Sequence, residues 1–145
     1  MVMMNENLNV QMRLVSVREM SFSMSLCRDE VAPDDVNIGF SSQLLPDMKN
    51  GLVSLLFGIR YEISGEPILE AAYQFVFDVK EFKRYVVSAD NQDVVDHLMP
   101  HFLNVAVGTV RGILVVRTAG TNLSKYPLPI VDINKLAEEL SSTMR

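Results

Sequence analysis

The chain has 145 residues, of which 48% are apolar and 21% charged, and its net charge is −5 at pH 7. A chain of this length and composition can bury a substantial core within one domain. No run of basic residues occurs, which excludes binding to the phosphate backbone of nucleic acid as a main function, and the single cysteine, Cys27, excludes an internal disulfide.

The first ten residues, MVMMNENLNV, have neither the basic region nor the apolar core of a signal peptide. No unbroken apolar run reaches the roughly 18 residues that a membrane span requires. A lone cysteine also favours a reducing compartment. We therefore expect a cytoplasmic protein without membrane insertion, a single domain over residues 1–145 in which residues 1–8 form a flexible arm.

Residues 10–27 predict a first strand that contains a bulge. Apolar side chains occupy even positions at both ends of this segment but odd positions in its middle, at Val15 and Val17. Because the side chains of a strand alternate between its two faces, this exchange predicts a bulge or twist near residues 16–18. A polar loop over residues 28–35 follows.

Three further strands are predicted over residues 36–45, 52–63 and 69–79. All three alternate, and in the last two every odd position is apolar. Turn signals at residues 46–51 and 64–67 join successive strands, which predicts an antiparallel sheet. Helices should cover the odd-numbered face of the last two strands.

A helical spacing of apolar residues replaces the alternation after residue 84 and continues to Val110. Asp90 is a suitable N-cap for this helix, and Pro100 is expected to kink or divide it. The segment Ile113–Val116 is rich in β-branched residues, so that both helix and strand remain open there.

The stretch from Val105 to Pro129 organises the chain, because it joins an apolar core helix to a tether over residues 122–129 that prolines stiffen. Asp132 then caps a final helix with one apolar stripe formed by Ile133, Leu136, Ala137 and Leu140. The sequence thus predicts an α+β domain, with a four-stranded antiparallel sheet covered on one face by a long helix and a short C-terminal helix. The tether would form the lip of a groove for extended, apolar polypeptide.

Catalytic patterns are weak in this chain. His97 and His101 have the i, i+4 spacing of a metal pair, but Pro100 disturbs the turn between them and no other ligand cluster exists, so we expect no metal and a solvated helix face. There is no GxSxG motif and no phosphate loop. Gly108 and Gly112, at i and i+4, would permit close helix packing in an oligomer.

Five short motifs follow one another between residues 10 and 141. Arg18-Glu-Met-Ser-Phe22 resembles K-D-I-S-F, Ser41-Ser-Gln-Leu44 reads S-S-Q-L, Leu98-Met-Pro100 resembles L-F-P, Arg111-Gly112 reads R-G, and Leu128-Pro-Ile-Val-Asp132 with Leu136 resembles L-A-P-V-N-F-x-x-L. In this order and spacing the chain resembles the SecB family of chaperones. The resemblance implies four antiparallel strands, a long helix, a crossover loop and a last helix.

SecB-like proteins form homotetramers, as dimers of dimers, and bind non-native polypeptides without ATP for protein transport and translocation. The resemblance therefore implies an unfolded-protein-binding chaperone without a cofactor. An apolar groove would bind extended chains through aliphatic and aromatic groups and through main-chain pairing at a strand edge. Our candidate groove residues are Phe40, Leu44, Leu123, Tyr126, Leu128 and Leu140.

Export-type members of the family dock the motor protein SecA through acidic residues on the outer sheet face. Glu19 and Glu70 match two of these positions and are predicted on the solvated face, whereas Ser23 stands where the family has another acid. The chain also ends at Arg145 without the tail that export-type members offer to SecA. This difference favours a dedicated client, such as an antitoxin, and both kinds of service stay open.

Two other classes of function remain open. A non-catalytic oligomeric interaction module would have a groove filled by its own side chains and no exposed apolar lip at Tyr126. A hot-dog-like thioesterase would use His97 or His101 with an aspartate at a subunit interface. The sequence favours a non-enzymatic holdase of the SecB type over both.

Overall fold

A computed structural model describes residues 11–25, 35–47, 49–80 and 92–144. The expected N-terminal arm, the Asp90 cap and nearly all of the expected 28–35 loop lie outside these ranges. The described chain forms one four-stranded antiparallel sheet followed by two α-helices. The predicted α+β architecture is therefore confirmed.

The strands are β1 (Met12–Met24), β2 (Val36–Asp47), β3 (Leu52–Ile63) and β4 (Glu66–Val79), in the sheet order β1-β4-β3-β2. The odd-numbered positions of β3 and β4 are buried almost throughout, whereas the even-numbered positions are half-buried or exposed. The alternation in the sequence thus predicted correctly which face of these strands the helices cover.

Two tight turns fix the order of the strands. Ser64 (φ 52°) and Gly65 (φ +81°) connect Ile63 to Glu66, which pair directly, so this is a two-residue hairpin of the type that suits the twist of the flanking strands. After β2, both carboxylate oxygens of Asp47 accept hydrogen bonds from Asn50 (3.2 and 2.8 Å). These bonds hold the pKa of the exposed Asp47 carboxyl below its usual value.

β1 contains two bulges, where its register with β4 shifts between Leu14 and Ser16 and again between Glu19 and Ser21. The sequence predicted a single irregularity near residues 16–18. The structure instead has two bulges, at Val15 and at Met20, one on each side of the predicted position. Each extra residue exchanges the two faces of the strand, because side chains alternate along it.

The long helix, α1 (Gln92–Arg117), continues through Pro100 and through the β-branched segment at its end. A strand over 113–116 is therefore excluded, and the helix is not divided. Packing explains this outcome, because one face of α1 enters the core and Phe102 stacks on Phe77 of β4 with a centroid distance of 4.5 Å. Tertiary burial outweighs the modest helix propensity of valine and isoleucine.

Part of α1, Leu98–Arg117, is the single stretch among the described residues that is long and apolar enough, by length and composition, to cross a membrane, with a mean hydropathy of 1.4. The expectation that no such segment exists thus holds only for unbroken apolar runs. In the structure the apolar face of this stretch lies against the sheet and belongs to the main hydrophobic core.

The second helix, α2 (Ile133–Met144), begins as predicted. The Asp132 carboxylate accepts a hydrogen bond from the amide of Lys135 (3.2 Å) and caps the first turn. Leu136, Ala137 and Leu140 are buried, so the predicted apolar stripe faces the interior. α2 packs against α1 and also contacts β2.

Candidate functional site

The junction between α1 and the tether is ordered by threonine hydroxyls. The Thr118 hydroxyl donates to the carbonyl of Leu114, and the Thr121 hydroxyl donates to the carbonyl of Thr118, each at 2.7 Å. Thr121 also accepts from the amide of Leu123 (3.2 Å) and so caps a short 3₁₀ helix. The cap turns Leu123 into the core, where its side chain is 1% exposed.

The sheet holds the middle of the tether through Tyr61 of β3. The Tyr61 hydroxyl donates a buried hydrogen bond of 2.8 Å to the main-chain carbonyl of Tyr126. Burial raises the pKa of Tyr61 to about 12, so the hydroxyl remains a donor at any physiological pH. The side chain of Tyr126 itself is 8% exposed.

The long helix holds the next part of the tether through Arg111. Its Nε donates to the carbonyl of Leu128 (3.1 Å) and its Nη2 to the carbonyl of Pro129 (2.7 Å). The planar guanidinium is suited to such paired bonds, which a lysine could not reproduce. The side chain of Leu128 itself is buried.

The edge strand β2 presents a partly exposed apolar strip on the helix side of the sheet. Val36, Ile38 and Phe40 are half-buried and pack against the main core, and Phe40 stacks on Phe57 at 5.7 Å. β2 pairs with β3 without any register shift, and in the described structure its other side has no neighbouring strand. A regular edge beside an apolar strip has the geometry that accepts an added extended segment.

Comparison with solved structures shows a likeness to a chaperone. The chain is similar to the SecB-like chaperone Rv1957 of Mycobacterium tuberculosis, solved in complex with a ChAD peptide from the antitoxin HigA1, with a TM-score of 0.54 over 83% of this chain and 88% of that chain. The two sequences are 9% identical. The fold is SecB-like. No family model matches the chain, and no curated protein matches it.

In this SecB-like fold the six predicted groove residues all belong to the main core or pack against it. Only Phe40 is partly exposed, whereas the other five, Leu44, Leu123, Tyr126, Leu128 and Leu140, are buried. The tether side chains predicted to form the lip are therefore turned inward, whereas Ile130, which follows Pro129, is 95% exposed. A role of these residues in peptide binding stays a prediction.

Four residues of this region were not predicted from the sequence as part of a site. Val36 and Ile38 belong to the predicted alternation of β2, but no feature of the sequence indicates that this strand lies at the edge of the sheet. Tyr61 was counted among the apolar positions, and Arg111 only as part of a motif. Tyr61 is separated from its partner in the tether by 65 positions, and Arg111 is separated from its two partners by 17 and 18 positions. No local pattern in the sequence reveals bonds over such separations.

The two candidate SecA-docking residues lie on opposite faces of the sheet, which corrects the expectation that both are on the solvated face. Glu19 pairs with Tyr73 and accepts a hydrogen bond from its hydroxyl (3.2 Å), so it faces the helix side. The physical reason is the bulge at Val15, which changes the face of the following residues. Glu70 is on the outer face as predicted.

Both carboxylates also have cationic partners. Glu19 forms an ion pair with Arg117 at the end of α1 (3.3 Å), and Arg117 lies over the ring of Phe22 at 4.0 Å. Glu70 is 3.4 Å from Arg60, which also pairs with Glu62 at 2.7 Å. Docking of SecA by Glu19 and Glu70 stays a prediction.

A shallow depression of about 370 Å³ lies around Arg60, where small residues replace bulky ones. A Cβ at Gly58 would lie 2.5 Å from the hydroxyl oxygen of Ser41, so glycine permits this close approach of β2 and β3. The carboxylates of Glu62 and Glu70 both pair with the guanidinium of Arg60 at its rim. The depression therefore offers no unpaired cation to an anionic substrate.

The predicted histidine pair is only half described, because the structure describes the side chain of His101 but not those of residues 92–97. Among the side chains that are described, no three or more His, Cys, Asp or Glu are grouped so that they could hold a metal ion. His101 is half-buried on α1, and the side chain of His97 and Cys27 lie outside the described part of the chain.

Proposed function

We propose that the protein is an ATP-independent holdase chaperone of the SecB type, which binds extended apolar segments of unfolded polypeptides. The observation that carries the proposal is the SecB-like fold combined with the half-exposed strip Val36, Ile38 and Phe40 at the regular edge of β2. An extended client would add a strand to this edge through main-chain hydrogen bonds and place alternate side chains against the strip.

The neighbour Rv1957, described as a SecB-like chaperone, was solved with a peptide from an antitoxin. This supports polypeptide as the ligand class and a dedicated client, such as an antitoxin, as one form of the function. General export service together with SecA is the other form. The proposed assembly is a homotetramer made of two dimers, located in the cytoplasm.

The experiment measures aggregation of a chemically unfolded test protein and binding of a labelled extended apolar peptide. The test variant Ile38→Ser/Phe40→Ser is compared with Asn37→Ser/Gln43→Ser, which changes the opposite face of the same strand. We expect the wild type and the control to suppress aggregation, and the test variant to bind the peptide at least about tenfold more weakly, as loss of two large apolar contacts predicts. Circular dichroism and light scattering verify native fold and assembly size.

Failure of the wild type to bind peptide or delay aggregation at several-fold molar excess would refute general holdase activity. A panel of unrelated clients then separates a dedicated chaperone, which binds one of them, from a general one. Co-purification with SecA would support the export form.

A non-catalytic oligomeric interaction module is the second candidate. It is favoured by the burial of Tyr126, because a groove filled by the protein's own side chains leaves less room for a client. This function predicts stable self-association without binding of any extended peptide, which the same measurements detect.

A further inference from the structure

The tether is held closed by side-chain donors rather than by backbone pairing. Pro127 and Pro129 have no amide hydrogen, and among the described residues no backbone-to-backbone hydrogen bond joins residues 127–131 to another segment. Instead, three carbonyl groups of the tether accept hydrogen bonds from Tyr61 or Arg111, namely those of Tyr126, Leu128 and Pro129.

These donors come from the two layers between which the tether runs. Tyr61 projects from β3, and Arg111 projects from α1. None of their three hydrogen bonds belongs to a helix or to a sheet ladder, so all three can break while the backbone bonds of the fold remain intact. Breaking them leaves a hydroxyl and a guanidinium that water can solvate once the tether has moved.

The tether also occupies apolar space with its own side chains. Leu123, Tyr126 and Leu128 are buried in the same cluster as Leu44 of β2 and Leu140 of α2. An extended apolar segment that entered this part of the core would have to displace them. The closed tether is thus in the position of an internal ligand.

We propose that Arg111 and Tyr61 form a latch that keeps the side chains of the tether packed in the main core. Opening of the latch would then admit an extended apolar segment of a client in their place. The inference rests on the proposed holdase function for the identity of the incoming ligand. It adds that the closed protein is autoinhibited and that two positioning residues, neither of them in the half-exposed strip, set the affinity for clients.

The test uses substitutions that remove donors and keep bulk. Tyr61→Phe deletes one hydroxyl, and Arg111→Met deletes the guanidinium but keeps an unbranched apolar stem. Tyr73→Phe is the matched control, because its hydroxyl binds Glu19 and not the tether. Arg18→Met is the second control, because Arg18 lies opposite Gln74 on the outer face of the sheet.

Opening is measured first without any client, by hydrogen exchange of the amides of the tether and by trypsin cleavage after Lys125, which lies in the 3₁₀ helix. We expect exchange and cleavage to become about tenfold faster in each latch variant, as loss of one buried hydrogen bond in Tyr61→Phe and of two more exposed ones in Arg111→Met predicts, with β3 and β4 still protected. Equal rates in latch and control variants would overturn the latch.

Affinity for the labelled peptide is measured next. The latch variants are expected to bind about three- to tenfold more tightly than the wild type, although their melting temperatures fall, since less of the binding free energy is spent on opening. A purely structural role would weaken binding and stability together and would overturn autoinhibition. If the wild type and all variants bind no peptide, the proposed function fails and autoinhibition with it, while faster exchange would still establish the latch.

Discussion

At the scale of single residues, two tyrosines carry polar groups into the covered face of the sheet. Tyr61 donates to the tether, and Tyr73 donates to Glu19 of β1. Burial raises the pKa of both hydroxyls to about 12, and the negative charge of Glu19 adds to this effect at Tyr73. Each hydroxyl thus joins the sheet to a segment that local sequence would not place beside it.

These shifts predict a loss of stability at alkaline pH. The unfolded chain releases the tyrosine protons near the ordinary pKa of 10, whereas the folded chain holds them up to about 12. Their contribution is therefore fully present below about pH 10 and decreases as the pH rises towards 12. We expect urea unfolding to show this decrease between about pH 10 and about pH 12.

The control for this prediction is the double variant Tyr61→Phe/Tyr73→Phe. It should be less stable than the wild type near neutral pH, because the Tyr126 carbonyl loses its donor, yet its stability should fall less steeply at alkaline pH. The same slope in both proteins would contradict the assignment to these two hydroxyls.

At the scale of elements, the hairpin between β3 and β4 sets the register of the two central strands. Ser64 adopts a positive φ of 52°, a conformation that is costly for most residues and that asparagine tolerates better, and Gly65 follows at +81°. A residue that tolerates positive φ better than serine should therefore stabilise the turn at position 64, and any residue with a Cβ should destabilise it at position 65.

We expect Ser64→Asn to raise the free energy of unfolding by about 0.5 kcal/mol and Gly65→Ala to lower it by about 1 kcal/mol. Thermal unfolding followed by circular dichroism measures both changes. Because residues 64 and 65 belong to the turn and neither to the half-exposed strip nor to the tether, peptide binding should be unaffected in either variant. A gain in stability for Gly65→Ala would show that the turn has a different backbone conformation.

The two edge strands differ in the partners that they can accept. β2 is regular along its whole length, whereas β1 is interrupted by bulges at Val15 and Met20. Bulges disturb the row of main-chain groups that an added strand needs. For this reason the proposed client lies on β2, and the apolar surface of β1 is more suited to packing by side chains.

At the scale of the whole molecule, large apolar side chains remain exposed on surfaces away from the tether. On β1 these include Leu14, Val15, Val17 and Met20, and at the end of α1 they include Val115 and Val116. Such surplus apolar surface is typical of proteins that associate. The proposed dimer of dimers requires two interfaces, and we propose β1 for one and the end of α1, which adjoins β1 through the Glu19–Arg117 pair, for the other.

We expect Met20→Glu and Val116→Glu each to reduce the assembly, measured by light scattering, from four copies to two, and the combination to give monomers. A charged side chain buried at an interface costs several kcal/mol unless it is paired, which is enough to dissociate a modest contact. Leu45→Glu, at an exposed position of β2, is the matched control. An unchanged mass in the combined variant would place the interfaces elsewhere.

Much of the fold followed from local patterns. The strict alternation of β3 and β4 predicted that their odd-numbered face is buried. The Asp132 cap and the apolar stripe that follows it predicted the start and orientation of α2. Such patterns are readable because a side chain's direction follows from its position in a strand or helix. The end of α1 was open, since valine and isoleucine at 113–116 suit a strand until the core makes a helix more favourable.

The amino-acid sequence by itself determined the type and order of the elements, the covered face of the central strands and the resemblance to SecB, because these depend on periodicity and on short motifs. Only the tertiary structure decided that the tether is closed, that Glu19 turns to the helix side and that Tyr61 and Arg111 hold the tether. Each of these depends on the position of a bulge or on a hydrogen bond between segments distant in the chain. The alternation of β1 indicated a bulge without fixing its position, and the hydrogen bonds leave no periodic signal in the sequence.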